Sequence, residues 1–233
     1  MHKLLIIFLS LLVHSYLIAD KHNAASIKLG TTLIQGALVG PEKLQGDYDN
    51  FLNQLSGVDI YYYPPGRAFK LLKNHNVDCI FPASTAMFPT SKGYIQSHSV
   101  NEVHAYIFTR FPYKSIDEIV GKTIAISRGF SYGGVRERLK ANYIELGSEL
   151  AKTEFFRKGR VDGFVSYKED VEPLYSAEQL DFPFHIPSRP YYTAKEAFVC
   201  VDKPNLVNFV NKINKFIAKH APNSLKKHHS SRE

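Results

Sequence analysis

Short apolar runs alternate with helix-forming stretches along most of the chain. Runs typical of strands lie at 27–32, 58–63, 103–109, 143–146 and 197–201, and apolar positions with the period of a helix lie at 67–73, 132–141 and 204–218. Strands that alternate with helices predict mostly parallel sheets with helices on both faces. The pattern therefore predicts an α/β fold.

One stretch of the chain occurs twice. Residues 71–81 and 155–165 both read as the end of an apolar helix with basic residues, a tight turn, Val-Asp and a short buried strand; the second copy starts 84 positions later, at 155 instead of 71. A strand that ends in a polar or glycine turn precedes each copy, at 27–32 and at 123–129. A repeated β–α–β unit predicts two lobes, each with its own sheet.

The chain must cross between these lobes twice. The first crossing is predicted where strand 103–109 gives way to Arg110-Phe111-Pro112, because proline favours an extended residue before it. The second is predicted at 187–192. These crossings divide the chain into a first lobe of residues 26–109 plus 197–224 and a second lobe of residues 112–188.

The two ends of the sequence differ from its body. A basic start and an apolar run of about ten residues precede Ala19, which is typical of a secretory signal peptide, since a membrane span needs about twenty. We expect residues 1–19 to be cleaved off, with Ala24-Ala25 as the alternative site, and no cysteine follows either site to carry a lipid. Residues 225–233 are expected to form a flexible basic tail.

Charge and cysteine content narrow the partners. The net charge of +7 favours nucleic acid, an anionic membrane or an anionic ligand, and export argues against nucleic acid. The ten histidines lack metal-ligand spacing, so no metal or other cofactor is predicted. Cys79 and Cys200 both lie in apolar strand-like runs, which by itself favours two buried thiols, although an oxidising compartment permits a disulfide.

Four segments in this order and spacing resemble those of a known family. They are Tyr63 to Leu72, Val77 to Pro82, Gly121 to Gly129 and Gly159 to Phe164. The chain resembles the bacterial extracellular solute-binding proteins of the amino-acid-binding type (type II periplasmic binding proteins, family 3). The resemblance implies a periplasmic protein with two α/β lobes joined by two crossing strands and a ligand in the cleft. It also implies that the strands of Cys79 and Cys200 are neighbours, which makes a disulfide between them compatible with the fold.

The resemblance also points to ligand-binding positions. Amino-acid binders of this family carry a serine or threonine and then an arginine after the first Val-Asp strand; here Ser84 and Thr85 are present, but residues 86–92 contain no arginine. At the position of the aspartate that holds the ligand's ammonium group stands Tyr167, followed by Glu169 and Asp170. We therefore predict a small polar ligand, anionic or zwitterionic, without assigning an α-amino acid.

The segment 129–133 allows two interpretations. Gly129-Phe130-Ser131-Tyr132-Gly133 matches the Gly-x-Ser-x-Gly nucleophile elbow, and a serine hydrolase would draw on Asp162 or Asp170 and on His185 or His220. A strand followed by a glycine turn and a helix start equally provides backbone N–H groups that bind an anion, with Ser131 adding a hydroxyl. Two small sheets favour the binding interpretation.

Arginines and tyrosines complete the predicted site. Arg110 at the first crossing and Arg128 beside the glycine turn supply cations for a carboxylate or phosphate, whereas Arg67 is expected to pack over its own turn. The predicted ligand-binding residues are Tyr63, Ser84, Thr85, Arg110, Arg128, Ser131, Tyr132 and Tyr167. The sequence thus predicts a monomeric, non-catalytic binder that serves a membrane permease of ABC type or a sensor; a sensory or interaction module with a decayed cleft is the remaining alternative.

Overall fold

The computed structural model describes residues 26–34, 46–64, 66–88, 90–186 and 188–224. The predicted signal peptide and the predicted basic tail lie outside these ranges. Within them, no helix is long and apolar enough to cross a membrane.

Strands and helices alternate through the described residues. The strands are β1 (Ile27–Thr32), β2 (Val58–Tyr63), β3 (Cys79–Ala83), β4 (Tyr94–Gln96), β5 (Asn101–Thr109), β6 (Thr123–Ser127), β7 (Asn142–Leu146), β8 (Gly163–Tyr167) and β9 (Tyr192–Val201). The helices are α1 (Asp47–Leu52), α2 (Arg67–Lys73), α3 (Val135–Arg138), α4 (Glu149–Arg157), α5 (Lys168–Ala177) and α6 (Pro204–Ser224).

The strands are ordered β2-β1-β3-β9-β5-β8-β6-β7, and β4 also pairs with β9. In the first half, β1 is parallel to β2 and β3; in the second, β6 is parallel to β7 and β8. The long strand β9 belongs to both halves, because residues 192–196 pair with β5 and residues 197–201 pair with β3 and β4. The predicted α/β fold of two mostly parallel sheets joined by crossing strands is confirmed.

The chain crosses earlier than the sequence pattern predicts. Strand β5, which the pattern places in the first lobe, pairs with β8 and with the first half of β9, so residues 101–109 belong to the second sheet. The crossing lies instead at residues 97–101 and 196–198, where Val100 N donates to Glu196 O (2.7 Å) and Ser97 N donates to Phe198 O (2.9 Å). The proline at 112 follows the end of β5, and the chain is already in the second half at that point.

The repeated segment has the same structural role in both halves. Asp78 N donates to Lys28 O and the Asp78 carboxylate accepts from Lys28 N (2.9 Å); Asp162 makes the same pair of bonds with Thr123, its carboxylate accepting at 2.8 Å. Two residues after the end of the helix before each aspartate stands a residue with left-handed backbone, His75 (φ 58°) or Gly159 (φ 71°). The repeat therefore anchors one strand of each sheet and carries no chemistry of its own.

Each half has its own core. The first half packs β3 and β9 against α1, α2 and α6, and Phe81 stacks on Phe198 with 4.5 Å between ring centroids. In the second sheet, Ile124 and Ile126 face one apolar cluster while Ala125 faces another, so both faces are covered.

Cys79 and Cys200 form a disulfide. They are directly opposite each other in the antiparallel pair of β3 and β9. The disulfide allowed by the resemblance is confirmed, and the expectation of two free buried thiols is wrong.

Candidate functional site

The carboxyl ends of the parallel strands in both halves face the crossing. Ala83, the last residue of β3, pairs with Ala197 beside the crossing. Tyr167, the last residue of β8, is level with Ala105, which in turn pairs with Tyr192. Ligands of open α/β sheets bind at this edge, so the space between the two strand ends is the candidate cleft.

The two halves touch at one mouth of this cleft. A Cβ atom built on Gly66, in the turn after β2, would lie 3.2 Å from the Gly129 Cα in the turn after β6. Gly66 has a left-handed backbone (φ 77°), so a side chain there is disfavoured by conformation as well as by the close approach. The two glycine turns therefore allow the halves to come together.

A buried ion pair lies under the cleft in the second half. Lys152 of α4 is fully buried; its Nζ lies 2.8 Å from Glu149 Oε1 and donates to Val165 O (2.7 Å) and to the Tyr132 hydroxyl (3.0 Å). Ser127 donates to the same Glu149 carboxylate (2.8 Å). Burial lowers the pKa of Lys152, and Glu149 opposes that shift. The network fixes the ends of β6 and β8 to α4.

Asp170 stands at the centre of an acidic cluster. Burial raises its pKa well above the usual value; Glu149, Glu196 and Glu169 raise it further, and Lys152 lowers it. Glu169 is held by His104, whose Nδ1 lies 3.4 Å from Glu169 Oε1. Three acids thus act on Asp170 against one ammonium group, and a further positive charge near Asp170 would favour ionisation of these acids.

Glu196 links the cluster to the crossing. The Tyr48 hydroxyl of α1 donates to the Glu196 carboxylate, and Asn101 Nδ2 donates to the Tyr48 hydroxyl (3.0 Å). Burial raises the pKa of Glu196 to about 7, against the opposing effect of the Tyr48 hydrogen bond. A carboxyl group that titrates near neutrality thus joins the first half to the shared strand.

Two predicted site residues meet in this region. The rings of Tyr132 and Tyr167 are buried with centroids 5.4 Å apart, and Phe130 stacks on Tyr132 at 5.6 Å. Tyr132 has a left-handed backbone (φ 44°), which is strained for a residue with a bulky side chain. Burial raises the pKa of both hydroxyls, so they remain neutral.

The predicted residues of the first half make internal contacts. Ser84 Oγ accepts from Ala86 N (3.3 Å), and both the backbone N and the hydroxyl of Thr85 donate to Gln96 Oε1, at 2.7 and 2.9 Å. The Tyr63 ring lies 5.9 Å from the guanidinium carbon of Arg67. All three follow or end strands whose carboxyl ends face the cleft, as the sequence predicts.

Arg128 and Ser131 are exposed at the mouth of the cleft. Arg128 is paired with Glu145, at 3.8 Å, and 71% of its side chain is exposed. Ser131 lies in a loop between the end of β6 and the start of α3, whereas a nucleophile elbow turns directly from strand into helix. Among the described residues, His185 packs on Phe108 and Phe182, and no contact joins it to Ser131.

The structure does not bring Arg110 to the cleft. Thr109 pairs with Gly163, the first residue of β8, so Arg110 follows the opposite edge of the sheet. Four residues of β8 separate that edge from Tyr167, which is about 13 Å in an extended strand. Arg110 packs over the Phe156 ring instead, at 4.4 Å.

Several polar residues at the cleft are absent from the sequence-based prediction: Tyr48, Asn101, Glu149, Lys152 and Glu196. A signal for Lys152 exists, since it precedes Phe156 by four positions and so shares its buried helix face. Glu196 directly precedes the apolar run 197–201, which is a second signal. Neither signal says which partner the side chain meets. No group of three or more metal-ligating side chains occurs in the described part of the chain.

No protein-family model and no curated protein matches the sequence. Solved structures do match. A substrate-binding protein of an amino-acid ABC transporter has 14% identity and a TM-score of 0.69, covering 86% of this chain and 96% of its own. The ligand-binding core of GluR0 from Nostoc punctiforme with L-glutamate has 14% identity and a TM-score of 0.70, covering 84% of this chain and 93% of its own.

A third match is an arginine transport periplasmic binding protein from Legionella pneumophila, with 16% identity and a TM-score of 0.62, covering 90% of this chain and 100% of its own. Identities this low show the fold alone. This chain has the two-lobed α/β fold of the amino-acid-binding periplasmic proteins.

Proposed function

We propose that this protein is a non-catalytic, periplasmic solute-binding protein that closes around a small ligand and delivers it to an ABC-type permease. The fold, the cleft at the strand ends and the similarity to substrate-binding and ligand-binding proteins for amino acids support this role. The close approach of Gly66 and Gly129 supports closure, because it shows that the two halves can meet at the mouth of the cleft. A ligand that touches both halves shifts the population towards this closed form.

The ligand carries at least one positively charged nitrogen. The observation that supports this is the cluster around Asp170, in which Glu149, Glu169 and Glu196 all raise the pKa of Asp170 and the ammonium group of Lys152 opposes them. Cations at such a site gain from each carboxylate that ionises, whereas an anion would meet repulsion. The cluster therefore favours a cationic or zwitterionic solute over the purely anionic ligand that the predicted arginines would select.

Aromatic rings beside the acids add to this preference. Tyr132 and Tyr167 are neutral and adjacent, and Phe130 stacks on Tyr132. Aromatic faces attract cations, especially where water is excluded. The same site thus offers both charge complementarity and apolar contact to an amine or a guanidinium group.

A thermal-shift titration tests the proposal. The protein is unfolded and refolded to release carried-over solute, and L-arginine, putrescine, L-glutamate and succinate are added separately. We expect L-arginine or putrescine to raise the melting temperature, because a ligand that binds only the folded state stabilises it, while succinate has no effect.

Two variants localise the binding. Asp170→Asn should weaken the affinity for the cation at least about tenfold, which is the value of one charge-assisted contact. Its fold should be preserved, because the asparagine resembles the protonated carboxyl group favoured by the raised pKa. Glu172→Gln, on the exposed face of the same helix, is the matched control and should bind normally. Succinate binding that is equal in the wild type and in Asp170→Asn would contradict the proposal.

A further inference from the structure

A second concave site lies at the edge of the second sheet opposite the cleft. It is a cavity of about 430 Å³ formed by the end of β5, the ends of α4 and α5, and residues 180–184. Its backbone frame is fixed, since Thr109 and Phe184 exchange two hydrogen bonds, at 2.9 and 3.1 Å. The proposed role of the cleft does not account for this cavity.

Arg110 provides an available cation on the wall of this cavity. Its guanidinium group lies over the Phe156 ring at 4.4 Å, and none of the ion pairs among the described residues involves it. The neighbouring Arg157 is different, because Glu178 neutralises it at 2.6 Å. A guanidinium group presents parallel N–H donors that match the two oxygens of a carboxylate.

Tyr175 provides a neutral donor on the same wall. The residue is only 4% exposed, and its hydroxyl has no hydrogen-bond partner among the described residues. Burial raises the pKa of this hydroxyl to about 12, while Arg157 and Arg110 lower it, so both guanidinium groups are near. Buried hydroxyl groups normally have partners, and one without a partner calls for an acceptor.

The remaining walls are apolar. Phe184 is 52% exposed, which is unusual for a phenylalanine, and Leu180 and Phe182 stand beside it. Asp181 also lines the cavity, and a second negative charge on a ligand would be repelled by it. The cavity thus combines one available cation, one neutral donor and a face of aromatic rings.

We propose that this cavity is a binding site for a small monocarboxylate with an apolar ring, separate from the cleft. Arg110 holds the carboxylate in a bidentate contact, the Tyr175 hydroxyl donates to one of its oxygens, and Phe182 and Phe184 pack against the ring. A site of this kind gives the second lobe a ligand of its own.

The test is a ¹⁹F NMR titration of the full chain with 3-fluorophenylacetate. We expect saturable binding that Arg110→Gln weakens at least about tenfold. The matched control is Arg160→Gln, because Arg160 stacks in the same way on the neighbouring Phe155, at 5.1 Å, and lies outside the cavity lining; it should leave the affinity unchanged. Tyr175→Phe should weaken binding without lowering the melting temperature of the free protein, since the lost hydroxyl had no partner.

Other results would overturn the site. These are equal affinity for 3-fluorophenylacetate in wild type and Arg110→Gln, or no saturation at about 10 mM, the weak limit for a ligand of this size. Loss of binding in Asp170→Asn with full binding in Arg110→Gln would place the carboxylate in the cleft. Equal affinity in Arg110→Gln and absence of saturation leave cation binding in the cleft untouched, so the two proposals can fail separately.

Discussion

The two halves of this molecule share a β–α–β plan but are stabilised by different means. The first half has a core of stacked aromatic rings and the Cys79–Cys200 disulfide. In the second half, Lys152 is buried with a glutamate, although removal of charge from water costs free energy. The two halves therefore share the backbone contacts of Asp78 and Asp162, while the side chains that form each core differ.

The largest effect should come from breaking the ion pair of the second half. Lys152→Met leaves Glu149 without its cation next to Asp170, and we expect the free energy of unfolding to fall by about 4 kcal/mol, as for other buried pairs that lose one partner. Urea unfolding measures the change. Lys158→Met removes an exposed pair on the same helix and should change stability by less than about 1 kcal/mol. Equal effects of the two substitutions would show that the buried network is not what holds this lobe.

In the first half, the Cys79–Cys200 disulfide takes the place of the buried ion pair as a stabilising feature. The double variant Cys79→Ala, Cys200→Ala opens a loop spanning a sequence separation of 121, and we expect a loss of about 3 kcal/mol, within the range for native disulfides. Wild-type protein with reductant should match the variant in urea unfolding. A fall in the cation affinity of the cleft together with stability would contradict the view that the disulfide only stabilises the first half.

Glu196 connects the two halves and should make the free energy of unfolding depend on pH. Its folded pKa of about 7 exceeds the usual value of 4.5, so the folded state retains a proton that the unfolded state releases. Stability from this group is therefore fully present below about pH 4.5 and is lost as pH rises through about 7, a change on the order of 3 kcal/mol.

Glu196→Gln should flatten the stability profile between about pH 5 and pH 8. Asp170→Asn is the comparison, because its raised pKa acts in the same direction. A profile unchanged by Glu196→Gln would assign the dependence to the cluster of the second half.

The smallest effects test the likeness of the two halves directly. Asp78→Asn and Asp162→Asn each replace a carboxylate that accepts from the backbone N–H of a strand residue, and each should cost about 1 to 2 kcal/mol. Because the two contacts are equivalent, chemical denaturation should give similar losses. A large cost in one half alone would mean that the repeat has different roles in the two lobes.

Local pattern was sufficient for much of the fold. The predicted bounds of β1, β2 and α2 agree with the structure, because each follows from apolar period and turn residues within a few positions. The predicted helix at 132–141 contracts to α3, since Tyr132, Gly133 and Gly134 all have left-handed backbone. Strand β9 begins five residues before the predicted 197, at Tyr192, because pairing with β5 extends it. That pairing is tertiary and has no local signal.

The residues of the site were harder to predict from the sequence than the elements of the fold. The strand end at Tyr167 and the loop after β6 that carries Tyr132 were predictable from topology. Arg110 was not, because the direction of β5 relative to β8 decides which edge it reaches. The acids around Asp170 come from α4, α5 and β9, and their proximity depends on the packing of these elements.

The strand shared by both sheets constrains any motion between them. Residues 196–198 of β9 are hydrogen-bonded to residues 97–100, so the connection between the halves is a two-stranded ribbon. A ribbon of this kind resists stretching and sliding but permits twisting about its long axis. Opening and closing should consequently have one principal degree of freedom, and the amide protons of Ser97 and Val100 should exchange slowly with solvent in both states.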